Sequence, residues 1–292
     1  MSLGWFCLAA MIGAYGVANL LQSAAAARTT VHHTFDPGLL MRLAGQRTYL
    51  IGLLCQMLGF LFAFLARRDL PLFLVQASVA AGLGVTALLG VLILKWSLPA
   101  AEIALLALLL GGITALVLAA RPAHARPMGV SGLVVLGAAI AVLALLGFPA
   151  ARLHGAAGSV VLGSLAGVAF SAAAIAARPL AGAHSIAALL ESPLLYLLVA
   201  HSVVGQLLLG LAMQRGSTTA AVAAMDAAGA VPAAIVGLLL LGDRIEPGRG
   251  WLAALGFVVT LAAVLGLTRY AEPQHHHATA PGRRIRTLPD HA

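Results

Sequence analysis

Asp226 lies in the segment Met225-Asp226-Ala227-Ala228-Gly229, inside a long run of apolar and small residues. A carboxyl in that setting can take up and release a proton, or balance an amine or another cation in transit. An ionised group in apolar surroundings costs roughly 2.5 to 3.5 kcal/mol to insert, so its presence is a functional signal by default. His201, in Val199-Ala200-His201-Ser202, interrupts a second apolar run. An unperturbed imidazole titrates near neutral pH and suits a proton relay or a hydrogen bond to a solute. Gln206, Gln76, Gln56 and Asn19 add uncharged hydrogen-bonding groups in comparable runs. These six residues are the expected substrate-binding set. Each also has a structural reading, because polar side chains tie helices together in apolar surroundings. The two readings stand side by side for His201, and packing weighs more for the three glutamines. Glu102 and Glu191 fall at the ends of runs and read as solvated or capping groups.

No other chemistry competes with this set. The chain has no Gly-x-Ser-x-Gly, no His-Glu-x-x-His and no phosphate-binding glycine loop, so no enzyme activity and no cofactor are expected. Cys7 and Cys55 lie within apolar runs and offer neither a disulfide framework nor a zinc cage. His32-His33 near Asp36 and the triplet His275-His276-His277 read as solvated histidines, and no metal site is expected.

The elements that must position these residues follow from hydropathy. Of 292 residues, 61% are apolar and 9% are charged, against about 25% charged in a soluble domain. Mean hydropathy is +1.01. A soluble fold could not hide that much apolar surface, and a disordered chain would need the opposite composition. A bilayer core of roughly 30 Å needs about 20 apolar residues per helix. Nine stretches qualify: Gly4 to Ala27, Thr48 to Ala66, Pro71 to Leu94, Ala101 to Ala120, Met128 to Phe148, Gly155 to Ala177, Ser192 to Met213, Ser217 to Leu241 and Gly250 to Thr268. The expected fold is an all-α, polytopic helical membrane protein with nine transmembrane helices. The first stretch lacks the basic start of a signal peptide and is too long for one, so it is expected to be retained.

Two halves repeat. A shift of 147 residues aligns Tyr49-Leu50 with Tyr196-Leu197, Arg68 with Arg215, Gly82 with Gly229, Gly90 with Gly237 and Leu94 with Leu241. Gly16-Val17-Ala18 likewise reads like Gly167-Val168-Ala169. The expected organisation is therefore a first four-helix unit over residues 1–122, a linker helix over 123–150 and a second unit over 151–270. A polar, disordered tail fills 271–292. One odd linker helix inverts the second unit relative to the first, and inverted repeats around a midplane site are a common plan of secondary transporters. Pro232, six residues after Asp226, predicts a loosened helix whose freed carbonyls could line a cavity.

The seventeen Lys and Arg are spread through the connections. With the N-terminus outside, ten face the cytoplasm, four of them in the tail, and seven face the other side: Arg67, Arg68, Arg121, Arg126, Arg178, Arg244 and Arg249. This pattern predicts an N-out, C-in protein of the cell membrane, not a nucleic-acid-binding one. Partners are membrane lipid and a small-molecule solute, and a homodimer is compatible with the sequence.

The repeat, together with a small-residue helix that ends in the turn Gly242-Asp243-Arg244, resembles the drug/metabolite transporter superfamily with its EamA-type repeats. The likeness spans most of Gly4 to Tyr270. A four, one and four arrangement is most similar to the NIPA-type magnesium transporter-like branch. That branch usually carries a Glu in its second helix and a Thr-Pro pair in its third, where this chain has Phe60 and Gln76-Ala77. The resemblance therefore implies the fold and a transport activity, without implying magnesium. It implies a secondary transporter of a small solute, and the chemistry of Asp226 and His201 makes them the residues that would couple it to protons. A lipid or lipid-linked sugar flippase and a non-transporting membrane scaffold are the alternatives. The flippase would need basic residues to grip a phosphate.

Overall fold

The computed structural model describes residues 3–26, 46–95, 98–215 and 218–267. The tail 271–292, His32-His33 and the histidine triplet lie outside the described residues. Eleven helices form among the described residues: α1 Leu3–Ala26, α2 Arg47–Ala66, α3 Leu72–Ser78, α4 Ala81–Leu94, α5 Ala100–Ala119 and α6 Val130–Ala150, then α7 Gly155–Leu180, α8 Ile186–Glu191, α9 Pro193–Arg215, α10 Thr218–Leu239 and α11 Gly250–Leu267. Two-residue strands β1 (Ala120–Arg121) and β2 (Arg244–Ile245) pair antiparallel, with Ala120 opposite Ile245 and Arg121 opposite Arg244.

Eight segments among the described residues are long and apolar enough to cross a membrane, with α3 and α4 counted as one. α10 carries a shorter apolar stretch, Ala224–Leu239. Large apolar side chains stand exposed along the outer faces, such as Leu54 and Met57 on α2 and Val135, Leu145 and Phe148 on α6. Water would penalise such faces and lipid does not. The chain is an all-α, multi-pass membrane protein.

Small residues decide the packing. α7 is the central helix, and its run Ala172 to Ala177 is buried throughout. It packs along α9 and α10, while α1 packs along α2 and α4, and α5 along α11. A β-carbon added to Gly229 of α10 would lie 2.9 Å from the carbonyl oxygen of Gly167 on α7. One added to Gly16 of α1 would lie 3.1 Å from the carbonyl oxygen of Gly82 on α4. Without lipid-side hydrophobic drive, such backbone proximity is what holds membrane helices together. The halves meet along α5 and α11 and where α3 packs on α10: Leu72 is fully buried in a cluster with Ile175, Leu194, Leu198, Ala233 and Leu241.

Three features depart from expectation. α10 runs as continuous α-helix through Pro232. The interruption falls instead in the first half, at Val79–Ala80 between α3 and α4. There the amides of Ala80, Gly82 and Leu83 bond three residues back, to Ala77, Val79 and Ala80, which tightens the turn and leaves the regular ladder. The short helix α8 is also new; it starts at Ser185, whose hydroxyl accepts from the Ala188 amide at 3.1 Å.

Candidate functional site: a buried arginine pair at one face

The connections after α2, α5 and α10 converge on one face and are zipped together. The Ala123 amide donates to Asp69 O at 3.1 Å, Arg126 N to Leu241 O at 2.9 Å, and Glu246 N to Ala119 O at 2.9 Å. Beneath them Arg178, near the C-terminal end of α7, is fully buried. Its Nε and Nη2 donate to Asp243 Oδ1 at 3.1 and 3.0 Å. Nη2 also reaches Ala123 O at 2.7 Å, and Nη1 donates to the carbonyls of Arg67 and Arg68.

Asp243 reaches this position because of the residue before it. Gly242 has φ of +79°, a conformation that side-chain-bearing residues rarely adopt. The turn swings the carboxylate back under α10, where the amides of Leu72 and Phe73 at the start of α3 donate to it. Burial pushes the Asp243 carboxyl above the ordinary carboxylate range, against the opposing pull of Arg178 and these two amides. One ion pair thus joins α7, both neighbouring loops of the first half, α3 and the exit of α10.

Arg67 caps the C-terminal end of α2 with αR geometry. Only 5% of it is exposed. Its carbonyl holds Arg178, but its own guanidinium is nearly unused. Nη2 lies 3.5 Å from Gln76 Oε1 on α3, and Nε and Nη1 have no partner. Among the described residues no carboxylate pairs with it. Burial, with Arg178 alongside, brings its pKa down to about 10, partly offset by the Tyr15 phenol. It is still a cation at neutral pH.

The expected site residues are placed as follows. Asp226 is partly buried on α10. His201 is fully buried on α9, and its Nε2 is 3.0 Å from Leu136 O on α6 while Nδ1 has no partner. No ion pair or hydrogen bond joins Asp226 to His201 among the described residues. Gln76 is half-buried against Arg67. Asn19, Gln56 and Gln206 are exposed side chains of α1, α2 and α9. Glu102, expected at a solvated end, is buried in the first turn of α5 with Oε2 unpartnered. Arg67 and Arg178, read from sequence as orientation markers, are the buried cations among the described residues. The sequence signal for Arg178 was its place in an unbroken small-residue run; for Arg67 there was none beyond its position at a helix end.

The chain matches no protein-family model, no curated protein and no solved structure.

Proposed function

We propose that this chain is a secondary transporter that moves a small solute across the membrane by alternating access. In this reading it has nine spans, two inverted four-helix units and α6 as the linker. The observation that carries it is a recurrence. Gly16 aligns with Gly167 and Gly82 with Gly229 in the sequence repeat, and Gly16 meets the backbone of Gly82 as Gly167 meets that of Gly229, between matching helices of each unit. Pairings also exchange between halves: α1 with α2 answers α7 with α9, and α3 meets α10 as α5 meets α11. Two matched units meeting along such a seam can rock against each other around a shared site. The broken turn at Val79, the repeat counterpart of Asp226, supplies the irregular backbone that such sites use. The likeness to the drug/metabolite transporter superfamily points the same way.

Asp226 is the proposed proton-coupling carboxyl. The test is uptake into proteoliposomes, using solutes first selected because they raise the melting temperature of the purified protein. Asp226→Asn should keep the fold and lose transport or its pH dependence. Wild-type uptake by that variant from pH 5.5 to 8, around the range of near-neutral titration, would remove Asp226 from the mechanism.

A further inference from the structure

The zipped face encloses two guanidinium groups and one paired carboxylate. Arg178 is consumed by Asp243 and three backbone carbonyls. Arg67 keeps two free nitrogens at 5% exposure. An arginine does not shed its proton at neutral pH, so its charge must be met in some other way. A buried charge without a counter-charge is among the costliest arrangements a fold can hold. The α2 C-terminus helps through its dipole, but no helix carbonyl bonds to Nε or Nη1. Gln76 offers its Oε1 to Nη2, which leaves its amide nitrogen facing outward from that bond. The Tyr15 phenol of α1 packs against the buried cluster that includes Ala66, the last residue of α2, and Leu70. Arg178 holds the Arg67 carbonyl, which fixes the backbone from which this side chain projects inward.

We propose that Arg67, with Gln76 and Tyr15, forms a binding subsite for the carboxylate of a small organic anion. The subsite presents one uncompensated positive charge and a few donors from side chains, which matches a carboxylate. A phosphate dianion usually recruits a nest of backbone amides or several cations. This assignment rests on the transporter reading above by naming the chemistry of its cargo, and binding is tested apart from transport.

The experiment is thermal unfolding of the purified full-length chain in nanodiscs of zwitterionic lipid, titrated with acetate, lactate and succinate. Inorganic phosphate, ethylamine and sodium chloride are the comparison probes, and a parallel set uses nanodiscs containing phosphatidylglycerol. The expected result is a saturable rise in melting temperature with the carboxylates, beyond that with chloride. Arg67→Gln should weaken the midpoint at least about tenfold, the worth of one charge-assisted hydrogen bond. Because that variant could disturb the fold, Gln76→Glu provides a second arm. It supplies an internal carboxylate to the guanidinium, so it should hold the fold and abolish the response to added carboxylate. Absence of a saturable carboxylate response in the wild type would overturn the subsite, as would a response unchanged in both variants. A response to phosphate alone, or one appearing only with phosphatidylglycerol, would also overturn it in favour of a phosphate or headgroup site. Carboxylate binding without uptake would keep the subsite and reject the transporter. Uptake of a solute without carboxylate binding would do the reverse.

Discussion

A side chain in a membrane protein is judged by its partners, and His201 shows how far that changes a sequence reading. Its depth in an apolar run was legible, and both a relay and a packing role were open. The structure gives Nε2 a partner on α6, the Leu136 carbonyl at 3.0 Å. That bond ties the helix between the halves to the second half and favours packing. His201→Ala should therefore lower thermal stability by about 1 to 3 kcal/mol, the cost of orphaning a buried acceptor. It should leave the pH profile of uptake unchanged. A shifted profile with intact stability would return His201 to the proton path. The arginines were the less legible group. An Arg beside a helix end looks the same in sequence whether it snorkels to headgroups or turns inward, and only the folded carbonyls around Arg178 distinguish the two. Asp243 was visible as the acid of a Gly-Asp turn. Its partner, 65 residues earlier, was not.

Helices of about 20 apolar residues announce themselves, because hydrogen-bonding demands inside lipid leave the backbone few alternatives. Eight of the nine expected stretches fall on segments long and apolar enough to cross a membrane, with ends that differ by a few residues, and the remaining one falls on α10, whose apolar stretch is shorter. What escaped was local: the break at Val79–Ala80, the short helix α8 and the two-residue bridge of β1 with β2. None of these has a hydrophobic period, and Pro232 drew attention to the wrong helix. The proline is accommodated within the helical run of α10, whereas the turn at Val79 arises without any proline. Helix pairing was legible through glycine spacing, and this yields a comparative prediction. Gly167→Ala and Gly16→Ala each place a β-carbon against a neighbouring helix, on the Met225 and Gly229 backbone and on Val85 respectively. Each should cost about 1 to 3 kcal/mol, as overpacking does. Gly84→Ala and Gly137→Ala point into open space and should be neutral or stabilising by about 0.5 to 1 kcal/mol, since alanine is the better helix former. Equal losses for all four in a detergent unfolding series would mean that the close approaches do not hold the bundle.

At the scale of the whole molecule, the question is whether the zipped face opens. Three contacts join the two halves across it: the Arg178 guanidinium on the Arg67 and Arg68 carbonyls, the Leu72 amide on Asp243, and the β1–β2 bridge. In a scaffold this face would stay shut for good. In a transporter of the proposed kind it is one of two gates, and each cycle must break and remake it. Arg121 and Arg244 are exposed and directly opposed across the bridge. Opposed residues of an antiparallel pair have Cα atoms about 4.5 to 5.5 Å apart, within the span a disulfide accepts. Arg121→Cys with Arg244→Cys, in a background where Cys7 and Cys55 are replaced by alanine, should therefore cross-link on mild oxidation without distorting the fold. The oxidised protein should still show any ligand-induced rise in melting temperature that the reduced protein shows, yet carry out no uptake, and reductant should restore transport. The pairing contains neither Asp226 nor Arg67, so a loss on oxidation reports motion of the face and not damage to a binding group. Uptake at the same rate in the oxidised and reduced states would mean that this face never parts, and rocking of the two halves about the α3–α10 seam would have to be abandoned.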